Sequence, residues 1–314
     1  MTTKRIAVYL GGLLLASLPG RAARYYVTVA GLGGEPEYEQ SFTRLAQDVD
    51  KTFRASGRNA RVYTLTGRGA TRAQLREVLN SIAREAKPED DFVLVLIGHG
   101  SFDGIEYKFN LVGPDISASE LARLCDLIAA RRQLIVNASS ASGGSVSVLE
   151  RPGRAVIAAT KSGTEKNATV FARYWVQALH DPEADVDKDD AISALEAFQY
   201  AARKTADFYE SQNRLATEHA VFEDTGKNEA VRQPSVGRGE GLLLSNFILL
   251  RLGAAQEAAN NPAKRALLAK KEELERRIAT LKYRKAAMAE EDYKQQLTAA
   301  LVALARVQGA LDKQ

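Results

Sequence analysis

The sequence predicts an α/β protein: a doubly wound, mainly parallel sheet followed by a C-terminal α-helical hairpin. Three observations predict it. Asp91-Phe-Val-Leu-Val-Leu-Ile-Gly-His99-Gly100 and Gln133-Leu-Ile-Val-Asn-Ala-Ser-Ser140-Ala-Ser142-Gly143-Gly144 are continuous apolar runs that stop at small polar residues, the form of strands buried on both faces of a parallel sheet. Such runs alternate with segments of helical periodicity, which implies right-handed crossovers between parallel strands. Beyond Asn260-Asn261-Pro262 the composition changes to long charged segments carrying apolar stripes.

Taken in order, Arg24-Tyr-Tyr-Val-Thr-Val-Ala reads as a first strand ending in Gly31-Leu-Gly33-Gly34. A helix over 39–55 and a strand from Arg61 follow. The next helix starts at Thr71, whose hydroxyl can cap it, and carries Leu75, Val78, Leu79 and Ile82 on one face. Lys87-Pro88-Glu89-Asp90 ends it and feeds the His99 strand. Leu121, Leu124, Cys125 and Ile128 share one face of a helix leading to the Ser140 strand, and Arg154-Ala-Val-Ile-Ala-Ala-Thr160 supplies another strand. Helices are expected over 168–179 and 191–213, then a last strand over 242–250. In the hairpin, Leu267, Leu274, Ile278 and Leu281 form one stripe, and Tyr293, Leu297, Leu301, Leu304 and Leu311 the other. These stripes must pack on each other, on the sheet domain or on a second copy, which makes a homo-oligomer through the hairpin an expectation.

The 314 residues, 45% hydrophobic and 26% charged, are ordinary globular composition. Lys4-Arg5, an apolar run from Ile6 and then Pro19-Gly-Arg-Ala22-Ala23 have the order of a secretory signal peptide, and the run is short for a membrane span. The expected domains are a signal peptide over 1–23, a sheet domain over 24–258 and a helical hairpin over 259–314. Export to the periplasm or beyond is expected, with no integral span once the signal is removed. The single cysteine, Cys125, cannot form an internal disulfide and is expected to be a buried, inert thiol. The net charge is +4, but the basic residues are interleaved with acids on the C-terminal helices, which argues against nucleic-acid binding.

The His99-Gly100 end and the Ser140-containing end on neighbouring strands resemble the caspase, legumain and gingipain group of cysteine peptidases. There, His-Gly ends one strand and Asp/Glu-x-Cys-x-Ser-Gly ends the next. Here Ser140 stands at the cysteine position and Ala138 at the carboxylate position. Ala158-Ala-Thr160-Lys-Ser-Gly-Thr-Glu165-Lys-Asn167 is similar to the legumain-type strand and loop, and Ala216-Thr-Glu-His219-Ala-Val-Phe-Glu-Asp224-Thr-Gly226 to a tail of bacterial caspase-like proteins; the likeness spans residues 24–250. The resemblance implies His99 as acid/base, Ser140 at the nucleophile position, and the N–H groups of Gly100 and Ser140 as oxyanion donors. A serine needs a well-aligned base and a group orienting that base, and the sequence identifies no such group. The expected function is therefore that of a pseudopeptidase binding a peptide or protein segment in the former cleft. The alternative is an active endopeptidase using His99 and Ser140. His219 is expected to be structural or at the surface, and His180 a solvated residue after a helix.

A second constellation has the spacing of an EF-hand loop. Asp185, Asp187, Asp189, Ser193 and Glu196 fall at positions 1, 3, 5, 9 and 12, Ala191 offers its carbonyl at position 7, and Ile192 is the apolar residue between them. Asp190 occupies the position of the usual glycine, where φ must be positive. Structural calcium is the expectation, against a reading in which the aspartates only cap the next helix; no cofactor is expected for catalysis.

Overall fold

The computed structural model describes residues 22–57 and 59–313. The basic and apolar parts of the expected signal peptide lie outside the described residues.

In chain order the elements are β1 (Arg24–Ala30), α1 (Pro36–Ala55), β2 (Ala60–Leu65), α2 (Arg72–Glu85), β3 (Asp91–Ile97), β4 (Gly100–Phe102), β5 (Tyr107–Phe109), β6 (Ile116–Ser117), α3 (Ala118–Asp126), β7 (Arg132–Asn137), α4 (Val146–Leu149), β8 (Arg154–Ala158), α5 (Phe171–Ala178), β9 (Ala191–Ser193), α6 (Ala194–Ser211), β10 (Val221–Glu223), α7 (Leu242–Ser245), β11 (Ile248–Arg251), α8 (Gly253–Asn260), α9 (Pro262–Arg284) and α10 (Glu290–Asp312). The central sheet has the order β10-β8-β7-β3-β1-β2. Five of its strands run parallel, and β10 lies antiparallel on β8. The outer edge of β10 is met by a single bridge in which Phe222 and Val231 exchange both backbone hydrogen bonds, each 2.8 Å.

Helices cover both faces. Phe42, Val49 and Phe53 of α1, Trp175 of α5 and Phe198 of α6 pack on one side. Leu75, Leu79 and Ile82 of α2 and Leu121 and Cys125 of α3 pack on the other. Every residue of β3 is buried, which is why its sequence shows no alternation. The chain visits β2 on one side of β1 and then crosses to β3 on the other, so the strand order reverses between β1 and β3. Ligands of open α/β sheets bind in the crevice such a reversal opens at the carboxyl ends of the strands. Here the carboxyl ends of β1 and β3 lead into the loop at Gly31–Gly34 and into His99.

Two elements depart from expectation. The apolar segment from Leu242 is a helical turn, and only Ile248–Arg251 is extended. The Asp224 carboxylate accepts N–H groups of Gly241 (2.9 Å), Leu243 (3.0 Å) and Leu244 (3.2 Å), as a helix cap does. Ser245 Oγ and Asn246 Nδ2 then donate to the Leu242 carbonyl, competing with a ladder. β11 pairs with β9 in a separate two-stranded sheet. The helix expected from Ala191 starts at Ala194, because Ser193 and Glu196 form a capping box. The chain also builds a small antiparallel sheet, β4-β5-β6, between His99 and α3.

Beyond Asn261, α9 and α10 pack on each other through Ile278, Leu281 and Ala300, with Tyr293, Leu297 and Leu304 alongside. α9 is also tied to the sheet domain. Glu272 pairs with Arg251 (2.5 Å), Lys271 Nζ donates to the Asp189 carbonyl (2.8 Å), and Tyr283 Oη donates to the Glu240 carbonyl (3.0 Å).

Candidate functional site

β3 and β7 are neighbours in parallel register, so His99 and Ser140 emerge from the same end of the sheet. Their immediate surroundings differ. The His99 ring is half-buried against two aromatic rings of α1, Tyr38 at 4.8 Å and Phe42 at 5.1 Å between centroids, both edge-on. Burial holds its pKa below the ordinary histidine value, and the nearby Gly33 backbone and Glu35 carboxylate only partly offset that. The imidazole is therefore kept neutral near physiological pH. Tyr38, which meets the ring, and Leu32 are exposed, 37% and 42%.

Ser140 is buried. Its Oγ accepts the N–H of Gly100 at 3.2 Å and donates to the carbonyl of Gly100 at 3.3 Å. No hydrogen bond joins it to His99 among the described residues. The group expected to be an oxyanion donor, Gly100 N–H, is engaged by the residue expected to be the nucleophile. Both residues arrive at one strand end, and the hydroxyl is held by the Gly100 backbone. Gly100 permits the approach, since a Cβ there would lie 2.4 Å from Tyr107 Oη and 2.7 Å from the Ser140 carbonyl.

Behind Ser140 a buried polar chain fixes the strand end. Tyr107 Oη meets Ser139 Oγ at 2.6 Å and Asn137 Oδ1 at 3.2 Å, and Asn137 Nδ2 donates to Ser145 Oγ at 3.0 Å. Thr160 Oγ1 accepts Gly143 N–H at 2.9 Å, and Thr160 N–H donates to Ser142 Oγ at 3.1 Å. Ala141 sits at φ 56°, ψ 11°, the left-handed region, fully buried. A residue with a Cβ is strained there.

One pairing is invisible in the sequence. Glu165 Oε1 lies 2.5 Å from His219 Nδ1, and Oε2 accepts the backbone N–H of His219 (3.1 Å) and Lys161 (2.9 Å). His219 is thus an oriented histidine with a carboxylate partner, the structural one of the two roles expected for it. Both residues belong to the two segments singled out above, but nothing local joins positions 54 residues apart. His180 meets expectation, with Nε2 at 3.1 Å from Thr52 Oγ1 at an exposed position.

In the acidic loop one carboxylate oxygen each of Asp185, Asp187 and Asp189 lies within 4.8 Å of the others. Asp185 accepts the N–H groups of Asp189 and Asp190, each at 3.2 Å, and Asp190 has φ 65°, the conformation glycine usually supplies. Ser193 and Glu196 stand beside this trio but are engaged with each other: Ser193 Oγ donates to Glu196 Oε2 at 2.8 Å, and Glu196 Oε1 accepts Val186 N–H at 2.9 Å. Ala191 is drawn into β9. Burial, together with the charges of Asp187, Glu275 and Glu196, pushes the Asp189 carboxyl up to about 7. The donor set is all oxygen and mostly anionic, which suits a hard divalent cation of calcium type.

Comparison with known proteins adds little. No protein-family model matches this chain, and no curated protein matches it. Among solved structures, protein GSU0716 from Geobacter sulfurreducens is similar over 66% of this chain and 94% of its own, with 13% sequence identity and a TM-score of 0.43.

Proposed function

We propose that the chain is an exported caspase/legumain-type scaffold without peptidase chemistry, which holds a peptide or protein segment in the crevice beside His99. The observation that carries this reading is the double hydrogen bond between Ser140 and Gly100. A serine nucleophile needs a base on its hydroxyl and free donors for the oxyanion, and that bond takes the hydroxyl and one of the two expected donors, Gly100 N–H. His99, packed edge-on against Tyr38 and Phe42 with Tyr38 and Leu32 exposed, suits contact with an extended apolar segment.

The test compares the mature chain with Ser140→Ala and Ser140→Cys on peptide mixtures that present every residue before the scissile bond. The natural chain should cleave none. Ser140→Cys, nearly equal in volume, should label with thiol-reactive peptide probes if crevice geometry is retained. Efficient cleavage by the natural chain, abolished in Ser140→Ala, would overturn the reading and favour the active endopeptidase.

The loop over 185–196 supports a second, compatible assignment as a structural calcium site. Its support is the positive φ at Asp190 together with the converging Asp185, Asp187 and Asp189 oxygens. Calcium there would tie the start of α6 to the preceding segment.

A further inference from the structure

His219 faces a cavity of about 640 Å³ between α6 and the segment that leads into β10, well within the range of small-molecule sites. Its lining includes Gln199, Arg203, Thr205, His219, Arg232 and Gln233 over an apolar floor. Three of these residues point to one class of ligand. Glu165 engages His219 Nδ1 and its backbone N–H, so the ring is oriented and Nε2 is the edge left for a ligand. The Arg203 guanidinium is stacked over the Tyr200 ring, 5.6 Å from its centroid, and neither Arg203 nor Arg232 pairs with a carboxylate among the described residues. The one buried carboxylate in the lining, Glu218, is already committed: it accepts the N–H groups of Val170 (2.7 Å) and Phe171 (3.2 Å) and the hydroxyl of Tyr209 (3.0 Å).

The cavity thus presents two guanidinium groups and a positioned imidazole, and its one acid, Glu218, is already hydrogen-bonded by the protein's own donors. We propose that it binds a small ligand through a terminal oxyanion, a carboxylate or a phosphate. Guanidinium groups match such planar or tetrahedral anions with paired donors, and the apolar floor formed by Phe198 and Ala220 accommodates the body of the ligand. This assignment does not depend on the reading of Ser140.

Calorimetric titration of the mature chain with N-acetyl-trialanine, its C-terminal amide and inorganic phosphate tests it. Arg232 is exposed, so Arg232→Gln leaves packing intact, and His219→Gln removes the imidazole edge offered to the ligand. Arg84→Gln, an exposed change on α2 remote from the cavity, controls for net charge. Each cavity variant should weaken binding roughly tenfold, the scale of one lost hydrogen bond to a charged group, with the control unchanged. Binding of the free tripeptide but not of its amide identifies a carboxylate ligand, and binding of phosphate with the same dependence on Arg232 and His219 identifies a phosphate ligand. No binding of either at millimolar concentration, or binding indifferent to both cavity variants, overturns the assignment.

Discussion

Ser140 shows how one hydroxyl ties a strand end to its neighbour. Its hydroxyl serves Gly100 as both donor and acceptor, so Ser140→Ala would strip two backbone groups of a partner. The expected loss is about 1–3 kcal/mol, the cost of leaving such groups unmade, readable as a lower urea midpoint at unchanged slope. Cys125 offers a second check. Burial pushes its thiol up to about 12, so a thiol reagent should label the folded protein negligibly at neutral pH and label it fully in denaturant. The positions of His99 and Ser140 at adjacent strand ends are legible from the sequence because apolar runs announce where buried strands stop. The partners of Ser140 are not, because they depend on the hairpin β4-β5, whose three-residue strands are too short to carry a periodic signal. His219 escapes for a different reason: its character comes from Glu165, a neighbour only in space.

The loop over 185–196 and helix α9 form a unit that neither sequence segment announces. α9 brings Glu275 toward Asp189 and anchors Lys271 on the Asp189 carbonyl, placing more negative charge around an already acidic loop. The sign of the pH effect follows. The Asp189 pKa is raised from the usual carboxylate value to about 7, so its contribution to stability is complete below pH of about 4 and is lost as pH rises through about 7. In chelator the melting temperature should therefore fall between about pH 5.5 and pH 8, and Asp189→Asn should flatten that slope. Calcium needs the ionised oxygens, so the stabilisation it gives by binding only the folded state should grow over the same interval. A melting temperature indifferent to millimolar calcium at pH 8 in the natural chain would remove the assignment. The segment from Leu242 teaches a related lesson: three leucines favour burial in either conformation, and Asp224, eighteen residues earlier than Leu242, decides for the helical turn.

Both large cores of the molecule are complete by Leu250, while the clusters of α8, α9 and α10 are small and separate. Truncation after Asn261 should therefore leave the sheet domain folded, with native far-ultraviolet circular dichroism. Its melting temperature should be lower than that of the full chain, because Arg251 would lose Glu272 and the Asp189 carbonyl would lose Lys271. Collapse of the sheet on truncation would contradict this. The sheet architecture is the most legible part of the chain, since alternation of buried strands and amphipathic helices repeats along it; the docking of α9 rests on a few polar contacts that leave no period. The bridge between Phe222 and Val231 carries one more consequence. It answers the last strand of the sheet with the molecule's own chain, leaving β2 as the open margin of the central sheet. A foreign strand seeking backbone partners there would meet Arg61 and its ion pair with Glu85, charges of the kind that discourage such pairing. Growth of the sheet from molecule to molecule is thereby discouraged at both borders.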